Sequence, residues 1–181
     1  MVLIIKLSNK EWKHFYKCFF STFFSKLLFY NNYGDFMRKY YLFIIKKDFY
    51  DVYKNNTNIL YIILENIYHL REDDFVYGIS IYNQLCQFFN KEIISSYFNG
   101  KNNKYIKKIK NKFFIDDIYA SQRTCLQINY SCVVLKTNSN IPYALRVFNW
   151  YNNNIFVCDF DNKDYFFLNE YSIKKINYAY C

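Results

Sequence analysis

The sequence predicts an α+β domain: an N-terminal helical half, about four helices after a short strand, packed with a C-terminal antiparallel β-meander. Three observations predict it. Apolar residues recur at three-to-four spacing through much of the first hundred positions, the period of one helix face. Between residues 124 and 168 the pattern changes to short β-branched and aromatic runs separated by Asn, Asp and Ser. Finally, 52% of the chain is apolar, enough for a sizeable core, so a mostly disordered chain is excluded. Helices first and strands second is the α+β order. The chain has 181 residues and no visible repeat or long linker. It therefore reads as a single domain over 1–181, helical over about 8–114 and a meander over about 124–168.

Val2 to Leu7 reads as a short strand. Ser8 and Glu11 then form S-x-x-E, a capping box in which each side chain satisfies the other end's free N–H. From there Trp12, Phe15, Tyr16, Phe19, Phe23, Leu27 and Tyr30 make one broad apolar helix face over 8–30, with Lys10, His14, Lys17, Ser21 and Ser25 opposite. Asn31-Asn32-Tyr33-Gly34 ends it, Gly34 suiting the left-handed cap. Asp35 can cap a segment 36–54 that fits a helix through Met37, Tyr40, Tyr41, Ile44, Ile45 and Val52. Tyr40 to Ile45 is equally good strand material, and the sequence leaves both open. A third helix spans about 58–70 on Leu60, Leu64 and Ile67, followed by an acidic linker, Glu72-Asp73-Asp74. A fourth spans about 80–98 through Ile81, Leu85, Phe88, Phe89 and Ile93, and stops at Asn99-Gly100.

In the C-terminal part, Ser131 to Thr137 and Ile141 to Trp150 flank Asn138-Ser139-Asn140. Ile155 to Phe160 and Asp164 to Leu168 flank Asp161-Asn162-Lys163, and Asn152-Asn153-Asn154 joins the two pairs. About four strands with hairpin-length turns are expected. Tyr171 to Cys181 is a last helix or strand.

Composition narrows the function classes. Phe, Tyr, Ile, Asn and Lys, all encodable with A and T alone, make up more than half of the chain. A very AT-rich genome, that of an organelle, a large DNA virus or a host-restricted bacterium, accounts for much of that bias. The formal net charge is +9, and most of the excess sits in two blocks, within 1–60 and 100–114. A clustered excess favours an anionic partner. With only four Arg among the basic residues, bidentate reading of phosphate or guanine is limited.

The six cysteines include no C-x-x-C, and His14 and His69 stand far apart, so no zinc-ligand spacing is present. Reduced, mostly buried thiols in a reducing compartment, cytoplasm or mitochondrial matrix, are expected. The best apolar window, Phe15 to Tyr30, is broken by Lys17 and Lys26. No transmembrane helix is expected, and the N-terminus lacks a signal peptide's basic start and cleavage site.

The strongest local signal is Lys101, Lys104, Lys107, Lys108, Lys110 and Lys112. On a helix, 101, 104, 108 and 112 form one stripe, and Ile106, Ile109 and Phe113 form the apolar stripe that docks it. Lysines arranged so lie along phosphates as point charges without reading sequence. Tyr105 and Phe114 stand where they can stack on bases. The plain alternative is the solvated face of a surface helix. Lys10, Lys13 and Lys17 are a second candidate phosphate contact on the first helix.

Enzyme motifs are mostly missing. Three glycines, at 34, 78 and 100, permit neither a phosphate-cradling loop nor a G-x-S-x-G elbow. Asp159, Asp161 and Lys163 form D-x-D-x-K. With Asp116 or Asp117 this fragment resembles the metal-binding arrangement of the PD-(D/E)-x-K nucleases, where two carboxylates hold Mg²⁺ and the lysine assists the attacking water. Pro-Asp is missing, and Asp161-Asn162-Lys163 stands where a turn is required, so the fragment reads as a solvated turn. No catalytic residue, metal or cofactor is expected.

The functional expectation is a non-catalytic, basic RNA-associated protein, such as a ribosomal or ribonucleoprotein subunit of an AT-rich genome. Its partners would be RNA or another polyanion, and neighbouring proteins of an assembly. The runner-up is a viral or parasite protein-interaction module whose Glu72–Asp74 stretch and exposed aromatics meet a host partner. A small metal-dependent nuclease is third.

Overall fold

The computed structural model describes residues 38–71, 74–99, 105–117, 121–140 and 142–169. The expected first strand, the helix over 8–30 and the stretch from Tyr171 lie outside them. The described residues are α+β and build one antiparallel sheet flanked by helices.

The segment that the sequence left open uses both options. Arg38–Ile45 is strand β1 and Lys47–Tyr53 is helix α1. Six consecutive residues of β1, Tyr40 to Ile45, are buried. A short apolar run without alternation is what a strand covered on both faces requires. Lys46 and Lys47 end it, and Asp48 in the first helical turn suits the positive end of α1.

Helix α2, Thr57–Tyr68, buries Leu60, Tyr61, Leu64 and Ile67, close to the expected helix. The expected fourth helix is interrupted. Phe75–Leu85 is α3, Cys86–Gln87 is a two-residue strand β2, and Lys91–Asn99 is α4. The break has two local causes. Gln87 and Cys86 pair with Ile44 and Ile45 of β1, and the Asn90 side-chain Oδ1 accepts from the backbone N–H of Glu92 and Ile93 at 3.0 and 3.1 Å. The second is an N-cap, which starts a new helix. At Gly78 of α3 an added Cβ would meet the end of the Leu70 side chain, just beyond α2, and Leu70 would have to shift to admit it.

The helical part does not reach residue 114. Ile106–Ile109 is β3 and Lys112–Asp117 is β4, an antiparallel hairpin turned by Lys110 and Asn111. The turn carries no glycine, and Lys110 itself takes the left-handed conformation, φ 55°. A hairpin turned by Lys-Asn lacks the Asn-Gly or Asp-Gly signature that makes such turns legible. Gln122–Ile128 is β5, Val133–Thr137 is β6, Ile155–Asp159 is β7 and Asp164–Phe167 is β8.

The sheet order is β3-β4-β5-β6-β1-β7-β8, with β2 paired to β1. The expected continuous meander is thus split in two by β1, and the described part of the expected strand Ile141 to Trp150, residues 142–150, is a turn followed by a helix. Leu145–Tyr151 is helix α5. The physical reason is topological. Both β6 and β7 run antiparallel to β1 on either side of it, so they run parallel to each other. A parallel connection cannot be a hairpin. It must cross over the sheet, and a helix does so with its backbone satisfied. The β7–β8 hairpin, by contrast, stands where the sequence placed it.

Strand alternation sorts the core. One face presents Tyr40, Leu42, Phe113, Leu126, Ile128, Val133, Leu135 and Val157 to Ile94 and Phe98 of α4 and Leu145 and Phe148 of α5. The opposite face is covered over β1, β7 and β8 by an aromatic group from α2. Tyr68 stacks on Phe160 at 4.6 Å between ring centroids, Tyr61 on Tyr165 at 4.5 Å, and the Tyr41 and Tyr68 hydroxyls hydrogen-bond at 2.9 Å.

Candidate nucleic-acid interface

Of the lysines singled out in the sequence, Lys10, Lys13, Lys17, Lys101 and Lys104 lie outside the described residues. Lys107 and Lys108 stand on β3, Lys110 in the turn and Lys112 on β4. For the described lysines the expected helical stripe is replaced by the alternation of a strand, which divides Lys107, Lys108 and Lys112 between two faces. Lys108 is paired with Phe113 and shares its core-facing side. It is exposed at the edge, with its ammonium 5.3 Å from the Phe113 ring centroid. Lys107 and Lys112 share the other face. The same alternation buries Phe113, half-buries Ile106 and leaves Ile109 46% exposed, so the expected docking stripe is not one surface.

The face carrying Lys107 holds residues that sequence spacing did not bring together. Through successive strand pairings, Lys107 lies opposite Phe114, Phe114 opposite Cys125, Cys125 opposite Lys136, and Lys136 opposite Lys39. Directly opposed residues of an antiparallel sheet share a face, so these five form one row across five strands. Lys107 is exposed, and Phe114, Cys125, Lys136 and Lys39 are half-buried. The matching row on the other face, Phe113, Leu126, Leu135 and Tyr40, is between 0 and 1% exposed. Lys39 also places its ammonium 4.7 Å from the Tyr41 ring centroid.

The electrostatics of the row follow from partial burial. Desolvation lowers the Lys136 pKa; Cys125 works against that lowering, and Lys112 adds to it. Desolvation raises the Cys125 thiol, with Lys112 and Lys136 pulling it the other way. Two cations thus flank one partly accessible thiol. Cys86, Cys132 and Cys158 are buried.

The D-x-D-x-K fragment is a turn, as expected, but Asp159 is not solvated. It is 0% exposed, and its carboxylate accepts from Arg38 Nε at 2.9 Å, from Asn162 Nδ2 at 2.7 Å and from the Asn162 backbone N–H at 3.1 Å. Arg38 reaches on to Asp164 at 2.9 Å. Burial opposes the Arg38 charge, and the hydrogen bonds to Asp159 and Asp164 outweigh it, so its pKa is raised. Asp161 and Lys163 are exposed, and Lys163 takes φ 54°.

Asp116 stands on β4, four strands away from β7, or roughly 19 Å at the usual strand spacing. It cannot share an ion with Asp159. Among the described residues no group of three or more His, Cys, Asp or Glu is placed to hold a metal ion. No helix among them is long and apolar enough to cross a membrane. Compared with known protein families and with curated proteins, the chain matches none.

Proposed function

We propose that this protein is a non-catalytic, RNA-associated subunit of a ribonucleoprotein, bound chiefly through phosphate. One observation carries the reading. Lys107, Lys108 and Lys110 are exposed together on a single tight hairpin at the edge of the sheet. Ammonium groups held this way contact a phosphate backbone as point charges, releasing counterions without selecting a base sequence.

The experiment is RNA affinity against salt for the full chain and for Lys107→Gln, Lys108→Gln and Lys110→Asn combined. Asn is chosen at 110 because it tolerates the left-handed conformation. Three lost contacts remove roughly 2 to 2.7 units of salt slope. Between 50 and 200 mM salt the wild-type affinity should then fall on the order of 20- to 40-fold more than that of the variant. An unchanged slope in a folded variant overturns the reading.

A second reading is favoured by the place of β3. Edge strands expose unpaired backbone groups, and lysines there keep sheets of neighbouring molecules from joining. Under it the triple variant keeps its RNA behaviour and self-associates.

A further inference from the structure

The edge on which the hairpin lysines stand carries more than charge. Strand β3 is the last in the sheet order, and among the described residues no strand pairs with its outer side. The Asp116 N–H donates to the Tyr105 carbonyl at 3.0 Å, so the bonded pairs of the hairpin fall at Tyr105, Lys107 and Ile109. Alternation then turns the N–H and C=O of Ile106 and Lys108 away from β4, outward in the plane of the sheet. Exposed lysines stand on either side of that plane. Lys107 rises from one face and Lys108 from the other, and Lys110 lies in the turn at the end of the strand. Stacked sheets pack about 10 Å apart, which makes a side-chain layer about 5 Å deep on each face. Roughly 10 Å therefore separates the Lys107 and Lys108 ammonium groups.

Resting on the RNA reading above, we infer that the ligand of this edge is double-stranded RNA, with β3 laid edge-on in its minor groove. The minor groove of an A-form helix is wide and shallow, bordered by the two phosphate backbones and lined with 2′-hydroxyls. An edge-on strand matches it group for group. The two lysines face the two backbones, and the outward N–H and C=O groups face 2′-hydroxyls, which both accept and donate. A single strand running along one face meets Lys107 or Lys108, with the sheet between it and the other. B-form DNA has no 2′-hydroxyl, and its minor groove, about 6 Å wide, is too narrow for cations standing roughly 10 Å apart.

The test measures binding of the full chain by fluorescence anisotropy. The probes are a twelve-base-pair RNA duplex, its 2′-O-methyl counterpart, the DNA duplex of the same sequence and a twelve-nucleotide uridine strand. The 2′-O-methyl duplex keeps the A-form and the phosphates, but its methyl groups replace the hydroxyl protons and bar close approach. The RNA duplex should bind on the order of tenfold more tightly than the 2′-O-methyl duplex, with the same salt slope, because hydrogen bonds are lost and no charge. Lys107→Gln and Lys108→Gln should act alike on the RNA duplex. Each should remove about 0.9 units of slope, so that the affinity lost between 50 and 200 mM salt shrinks about 3- to 4-fold. On the uridine strand only one of the two should matter. Both variants should keep the wild-type circular dichroism, as substitutions at exposed positions do.

A 2′-O-methyl duplex, DNA duplex or uridine strand bound as tightly as the RNA duplex overturns the groove and leaves the phosphate-binding hairpin standing. So does RNA-duplex binding that depends on only one of the two lysines. No RNA binding at all, by duplex or strand, overturns the function on which the groove rests. Polyglutamate that displaces the duplex as well as RNA of equal charge assigns the edge to an acidic protein and overturns both.

Discussion

Asp159→Ala tests whether the D-x-D-x-K fragment is structural. The carboxylate is 0% exposed, and Arg38, its partner, is 23% exposed. Removing one member of a buried pair costs about 3–5 kcal/mol, mostly because the other charge is stranded. Arg38 keeps Asp164 at 2.9 Å and some access to water, which places the loss near the lower end, at ~3 kcal/mol. The Ala variant also leaves the Asn162 backbone N–H and side-chain amide without their acceptor. Asp164 is 49% exposed, so Asp164→Ala should cost only about 0–1 kcal/mol. The assay is urea unfolding followed by far-ultraviolet circular dichroism. With an m-value near ~2 kcal/mol/M, Asp159→Ala moves the midpoint down by roughly 1.5 M. Arg38→Met combined with Asp159→Ala should recover part of that loss, because no buried charge is then left unpaired and Asp164 is exposed. Two results refute the reasoning: a loss no larger than that of Asp164→Ala, or a wild-type midpoint that Mg²⁺ raises only when Asp159 is present.

Two further outcomes follow from burial. Desolvation raises the pKa of Cys86, Cys158, Tyr41 and Tyr82 in the fold. In the unfolded chain the thiols ionise near about 8.5 and the tyrosines near about 10. As pH rises through those values the unfolded state loses protons first. Stability is therefore full below about pH 8.5 and declines above it, by up to ~1.4 kcal/mol per pH unit for each group concerned. Urea midpoints that stay level from pH 7.5 to about pH 10 would contradict this. The two faces of the hairpin region should also differ in tolerance. Leu126→Ala, at a fully buried position, should cost about 2–5 kcal/mol, whereas Ile109→Asp, on the exposed edge, should stay within about ±0.5 kcal/mol. Thermal unfolding of both variants decides it, and an Ile109→Asp loss like that of Leu126→Ala would restore the helical docking stripe.

The amino-acid sequence by itself determined features that depend on near neighbours. The α2 helix, the β7–β8 hairpin and the α+β class were legible because a 3.6-residue period, a two-residue alternation and a turn triplet are local signals. Tertiary structure decided the rest. Tyr40 to Ile45 became a strand because it inserts between two strands that follow it by some ninety residues or more, and a position covered on both faces selects an extended apolar run. That insertion in turn made Leu145 to Tyr151 a crossover helix, although Val147, Phe148 and Trp150 are good strand formers. The lysine run reads the same on a helix or a hairpin, since Lys-Asn carries no turn signature, and only pairing with β4 made it a strand and sent Lys107 and Lys108 to opposite faces. Residues as distant as Lys39 and Lys136 share a row solely through strand register, and register is set by which side chains must be buried together across the whole sheet.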